Sequence, residues 1–112
     1  MHFEGPAVLL HGDLKLAHVF DLPDEQVGLI DWGDACAGDP RLDLARMSMA
    51  GPTAFATFMS GYGIGLTPAL NRSLACYRMV WHIDNLAFEH RAGGDWFDHY
   101  RAGIAAAVQE LA

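Results

Sequence analysis

Four residues in the first half of the chain could together form a catalytic or metal-binding group. Asp13 follows the apolar run Ala7–Leu10, Lys15 stands two positions later, His18 five positions later, and Asp31 after a further apolar run. A carboxylate in a loop at the end of a buried strand can face a substrate and accept its proton. Imidazole and carboxylate are both metal ligands. These residues therefore predict a base beside a metal site.

The segment between His18 and Asp31 explains how two of these residues could meet. Two short apolar runs flank a turn-like stretch over 21–26, so residues 18–31 predict a β-hairpin. If Val19 faces Ile30 across that hairpin, His18 faces Asp31, at a Cβ separation of roughly 5 Å. The pair could then hold one metal ion, with Asp13 as a base and Lys15 offsetting charge on a phosphate. This arrangement is typical of phosphoryl transfer.

The same residues lie in three sequence motifs. Residues 11–18 read HGDLKLAH, residues 30–33 read IDWG, and residues 38–45 read GDPRLDLA. They resemble, in the same order, the catalytic loop, the metal-binding segment and the G-D-P-x-x-D-L-A signature of the aminoglycoside phosphotransferase-like family. The first also matches the kinase pattern H-R-D-L-K-x-x-N.

The resemblance implies a role for each matching position. Asp13 would be the catalytic base and Asp31 the principal metal ligand. Asp43 would be a buried acid that holds the catalytic loop through backbone N–H groups, and His11 would brace the same loop. Members of the family transfer the γ-phosphate of ATP or GTP to a hydroxyl of a small molecule, often an aminoglycoside or another antibiotic. The implied cofactors are Mg²⁺ and ATP or GTP, and the implied partners are the nucleotide and a hydroxyl-bearing acceptor.

The chain departs from the family pattern in two ways. His18 stands where most members have an asparagine ligand, and because imidazole suits Mg²⁺ less well than oxygen does, Mn²⁺ is an alternative ion. The chain also begins ten residues before His11, so we expect the nucleotide-binding N-terminal lobe to be absent. The alternative to an enzyme is a truncated, non-catalytic lobe that binds metal or ligand, or that pairs with a separate N-terminal lobe. A metal-dependent hydrolase is a third interpretation, but it needs more ligands.

Acidic residues in the second half allow two interpretations. Asp84 and Glu89 lie near the end of a predicted long helix, with Asp95 and Asp98 just beyond it. They form either a solvated helix end or an anionic wall that binds a cationic acceptor.

The remaining pattern predicts helices. Asp39 and Pro40 are a helix start signal, Pro52 can open a second helix, and Thr67 can cap a third that ends at Gly93. Asp95 is expected to cap a fourth helix. The fold class is therefore α+β: a protein-kinase-like C-terminal lobe in which a catalytic loop and a β-hairpin precede about four helices. We expect residues 1–112 to form one domain.

Composition narrows the classes of partner. The formal net charge is -7, opposite in sign to that of a typical nucleic-acid-binding domain. The sequence contains no apolar run of membrane-spanning length. Two cysteines lie far apart without metal-ligand spacing, which favours a reducing, cytoplasmic setting. Because a missing lobe would leave apolar surface uncovered, we also expect self-association.

Overall fold

Two small antiparallel sheets and four α-helices make up the chain in the computed structural model, which describes residues 3–112. The predicted α+β class is thereby confirmed. The chain divides into two compact units, one ending at Gly65 and the other spanning Leu66–Ala112.

The first sheet pairs two strands that the sequence separates widely. Strand β1 (Val8–Leu10) pairs antiparallel with β4 (Cys36–Gly38), so that Leu10 lies opposite Cys36. Sequence analysis did not predict β4, because the three residues are small and show no alternation of apolar and polar types. Its pairing brings the segment after Asp31 back beside β1, the strand that precedes the loop of His11 and Asp13.

The second sheet is the predicted hairpin, but its register differs from the prediction. Strand β2 (Val19–Leu22) pairs with β3 (Gln26–Leu29) so that Val19 lies opposite Leu29, not Ile30. Leu22 pairs directly with Gln26, and a loop of only three residues closes the hairpin, with Asp24 and Glu25 at positive φ. The tight loop shifts the whole register by one residue.

Helices α1 (Arg41–Ser48) and α2 (Pro52–Tyr62) complete the first unit. Pro40 already has helical dihedrals, and Asp39 Oδ1 accepts a hydrogen bond from the Arg41 backbone N–H at 2.9 Å. Asp39 thus satisfies one of the unpaired donors at the helix start, as predicted. The buried apolar residues of this unit are Leu10, Leu44, Ala45, Met47, Phe55 and Met59.

The second unit consists of helices α3 (Pro68–Ala92) and α4 (Phe97–Leu111), which pack antiparallel. Thr67 Oγ1 caps α3 by accepting the Leu70 backbone N–H at 3.1 Å, and Gly93 ends the helix in the left-handed region. The prediction that Asp95 caps α4 was wrong: the start of α4 has no side-chain cap. Instead, the Trp96 N–H donates to Glu89 Oε1. None of the described helices combines the length and hydropathy needed to cross a bilayer.

Gly12 lies in the loop after β1, where the backbone passes very close to Asp34. Its φ is +89°, and a Cβ placed there would overlap the Asp34 carbonyl group. Gly63 also has a positive φ, of +85°, but a Cβ there would meet open space. A side chain at Gly12 would therefore meet both an unfavourable φ and a steric overlap, whereas a side chain at Gly63 would meet only the unfavourable φ.

We predict that Gly12→Ala destabilises the protein more than Gly63→Ala does. Gly63→Ala should lower the free energy of unfolding by about 1 kcal/mol, the cost of a left-handed alanine. Gly12→Ala should cost about 3 kcal/mol, because overlap with the Asp34 carbonyl adds to that strain. Urea unfolding of both variants measures the difference, and equal costs would contradict a close approach at Gly12.

Candidate active site

A carboxylate on α1 holds the backbone of the loop that follows β1. Asp43 Oδ2 accepts the His11 N–H at 2.8 Å, and Asp43 Oδ1 accepts the Gly12 N–H at 3.0 Å. Asp43 is partly buried, rather than buried as expected. Hydrogen bonds to an ionised acceptor are stronger than neutral ones, so the two bonds fix the path of the loop.

The buried ring of His11 joins this loop to the end of the hairpin. Its Nδ1 accepts the Asp13 N–H at 3.2 Å, so the ring proton lies on Nε2, which donates to the Ile30 carbonyl at 2.7 Å. The Trp32 ring packs against it at a centroid distance of 4.7 Å. A neutral His11 thus links the backbone of Asp13 to the backbone of Ile30. The family resemblance assigns this position to support of the same loop.

The side chain of Asp13 is three-quarters buried and paired with an arginine. Its Oδ1 accepts a hydrogen bond from Arg46 Nε at 2.7 Å. Partial burial by itself raises the pKa of Asp13, but the hydrogen bond and charge of Arg46, together with the charge of Lys15, outweigh it. The pKa of Asp13 therefore lies below its ordinary 3.8, and the group is an ionised acceptor at neutral pH.

His18 and Asp31 meet despite the shifted register. His18 ends a short 3₁₀ helix (Leu16–His18), and Asp31 lies two residues after the end of β3 with a φ of +64°. The Nε2 atom of His18 lies 3.2 Å from Asp31 Oδ2. The other ring nitrogen, Nδ1, donates to the Asp13 carbonyl oxygen at 2.9 Å. A neutral His18 therefore points the lone pair of Nε2 at a carboxylate. That contact is favourable only when a cation, either a proton or a metal ion, lies between them.

This donor pair fits a divalent cation. Two ligands of one octahedral Mg²⁺ ion, each at ~2.1 Å, lie about 3 Å apart, close to the observed separation of the two atoms. Within residues 3–112, no group of three or more His, Cys, Asp or Glu side chains forms a metal cluster. The pair could therefore supply two ligands, and Mg²⁺ commonly completes its shell with waters and phosphate oxygens.

The other predicted residues are placed differently. Lys15 is partly exposed, and its charge is near enough to lower the pKa of Asp13. Asp84 and Glu89 lie on α3 in the second unit; Asp84 is exposed, whereas Glu89 accepts the Trp96 N–H at the turn before α4. Their role in binding an acceptor stays a prediction.

Sequence reasoning missed Arg46 and the packing of Trp32. Arg46 lies three residues after Asp43 on α1, and this helical spacing was a usable signal, since both side chains face the same side. Trp32 packs on His11 and donates through Nε1 to the Leu29 carbonyl at 3.1 Å. No sequence pattern indicates that contact.

The lowered pKa of Asp13 predicts a pH-dependent contribution to stability. The ionised form is favoured in the folded chain, so the Arg46 contact stabilises the fold above pH 3.8 and ceases to do so as the pH falls through the lowered pKa. We expect Arg46→Met to reduce the free energy of unfolding by about 1 kcal/mol near neutral pH, and by progressively less in acid. Urea unfolding as a function of pH tests this.

A matched control removes a weaker arginine–aspartate pair. The Nη1 atom of Arg101 lies 3.7 Å from Oδ1 of the fully exposed Asp98. Arg101→Met should therefore change the free energy of unfolding little at any pH. A gap between wild type and Arg46→Met that stays constant down to strongly acidic pH would contradict the assignment of the lowered pKa to Arg46.

Comparison with known families agrees with these motifs. The model of the phosphotransferase enzyme family matches residues 1–77, which include the loop after β1, the His18–Asp31 pair and the Asp43 contact. The resemblance noted in the sequence is thereby confirmed at the level of the family. With more than half of its length matched, this chain belongs to the phosphotransferase enzyme family.

Proposed function

We propose that this chain transfers the γ-phosphate of ATP to a hydroxyl group of a small molecule. The observation that carries the proposal is the convergence of three groups: ionised Asp13, and the His18 and Asp31 side chains 3.2 Å apart. His18 joins them, since its Nδ1 hydrogen bond to the Asp13 carbonyl fixes the ring beside the base. An aminoglycoside is the acceptor that the family resemblance implies.

Asp13 is the base in this proposal. Phosphoryl transfer passes through a loose transition state, so a base needs mainly to orient the hydroxyl and take its proton late in the reaction. A carboxylate with a lowered pKa suits that task because it is ionised whenever the acceptor arrives. Lys15, two residues on, adds positive charge near the phosphates.

The residues that would hold Mg²⁺, or Mn²⁺, are His18 and Asp31. Bound there, the ion would neutralise charge on the triphosphate oxygens. A hydrogen bond to one ring nitrogen fixes the orientation of an imidazole. The bond from His18 Nδ1 to the Asp13 carbonyl therefore also directs Nε2 toward Asp31.

Titration calorimetry with Mg-ATP and with Mn-ATP tests the nucleotide–metal site. We expect saturable binding that Asp31→Ala weakens at least ~10-fold, because one of two protein ligands is lost. Asp21→Ala is the matched control: it removes an exposed carboxylate from β2 in the same hairpin, and binding should be unchanged. Equal loss in both variants would show that net charge, not a metal site, determines the affinity.

An acceptor screen completes the test of the proposed reaction. Phosphate transfer from labelled ATP to aminoglycosides and other hydroxyl compounds should fall by about 100-fold or more in Asp13→Asn, which cannot accept the proton. Binding of Mg-ATP without transfer to any acceptor would favour the alternative of a non-catalytic lobe.

Exposed apolar side chains on the hairpin support that alternative. Phe20 and Leu22 lie on one face of the hairpin and Val27 and Leu29 on the opposite face, and all four are exposed by more than a third. A two-stranded sheet is marginally stable by itself, and exposed apolar patches are typical of surfaces that bind a partner. The hairpin is therefore a candidate surface for a second copy or for a separate lobe.

Light scattering during size-exclusion chromatography tests self-association through this surface. The wild-type mass should rise above 12.2 kDa as concentration increases. Val27→Lys should reduce that rise, whereas Val108→Lys, at a similarly exposed valine on α4, should not. A monomer at all concentrations would contradict self-association.

A further inference from the structure

Helix α1 contacts the catalytic loop through two charged side chains, not one. Asp43 and Arg46 are three residues apart and so share a helix face. Asp43 binds the loop backbone at residues 11 and 12, whereas Arg46 binds the carboxylate of Asp13. Helix α1 therefore restrains both the backbone of the loop and the side chain of Asp13, the proposed base.

The arginine makes the two oxygens of Asp13 unequal. Oδ1 receives the Nε–H of Arg46 at 2.7 Å. Oδ2 lies 3.9 Å from His18 Nδ1, and that ring nitrogen already donates to the Asp13 carbonyl oxygen. Oδ1 therefore faces α1, and Oδ2 lies toward the Nδ1 edge of the His18 ring. Turning the carboxylate plane away from this orientation would break the Arg46 contact.

We propose that Arg46 is a positioning residue that directs Asp13 Oδ2 toward the acceptor hydroxyl. This inference rests on the proposed function. In the transfer, the hydroxyl oxygen bonds to the γ-phosphorus and the bond from that phosphorus to the β–γ bridging oxygen breaks. ADP leaves with the electron pair, and the hydroxyl proton passes to Asp13 Oδ2. Arg46 acts on this step only by holding Oδ1.

The chemistry of arginine suits this task. The contact uses Nε, which lies in the rigid plane of the guanidinium, and the side chain is 15% exposed, so its approach is fixed by packing. Its Nη1 also lies 3.6 Å from the Met49 sulfur. A lysine would keep the charge but lose the planar donor.

Steady-state release of phosphate from Mg-ATP, with water in place of the acceptor hydroxyl, tests the proposal. Arg46→Met should lower kcat by about 100-fold, because displacing the base by about 1 Å has a cost of that size. The KM for Mg-ATP should stay within about twofold of the wild-type value. Arg46→Lys, which keeps the charge, should still lose about 10-fold in kcat. Full kcat in Arg46→Lys would overturn the geometric role.

The control is another arginine on the same helix. Arg41 pairs with Asp39 through Nη2 at 2.6 Å, so Arg41→Met removes a comparable ion pair from α1 without touching Asp13. It should leave kcat unchanged. A loss of kcat in Arg41→Met equal to that in Arg46→Met would show that α1 stability alone is responsible, and would overturn the proposal.

A double-mutant cycle separates this inference from the function on which it rests. If Arg46 acts through Asp13, then Arg46→Met should not lower kcat further in an Asp13→Asn background. Turnover that Asp13→Asn abolishes but Arg46→Met leaves intact overturns the role of Arg46 and keeps the proposed function. A wild-type chain that transfers phosphate neither to water nor to any acceptor of the screen, or turnover that Asp13→Asn does not change, overturns both.

Discussion

The Asp43 carboxylate binds two consecutive backbone N–H groups, and the geometry of the candidate site follows from that contact. The amides of His11 and Gly12 can face one carboxylate because Gly12 adopts a positive φ close to the Asp34 backbone. An ionised acceptor with two donors is a strong, directional restraint in a partly buried setting. It sets the direction in which the chain leaves β1, and so where Asp13 lies.

Hydrogen bonds from two histidines extend that restraint to the hairpin. His11 accepts from the Asp13 amide and donates to the Ile30 carbonyl, whereas His18 donates to the Asp13 carbonyl. Each bond fixes which ring nitrogen carries the proton. A ring oriented in this way at His18 leaves one nitrogen facing Asp31, and only a cation makes that contact favourable. The polar groups that stabilise the loop therefore also prepare the candidate metal pair.

Prediction from sequence worked where a local pattern has one structural meaning. The caps at Asp39 and Thr67 are short-range hydrogen bonds, and both are present. The hairpin was predicted, but its register depended on a three-residue loop with two residues at positive φ, which no apolar pattern indicates. The expected cap at Asp95 failed because α4 begins at Phe97, which puts Trp96 and not Asp95 at the cap position.

The family, the α+β class and the residue types available for chemistry follow from the amino-acid order, because motif spacing and helix caps are local features of it. Which atoms meet depends on tertiary packing. Leu10 and Cys36 pair across 26 residues, and Arg46 reaches Asp13 from 33 residues away. Asp31 meets His18 through a left-handed backbone rather than a strand pair. Contacts of this range depend on how α1, β4 and the hairpin pack around one loop, and no local pattern encodes that packing.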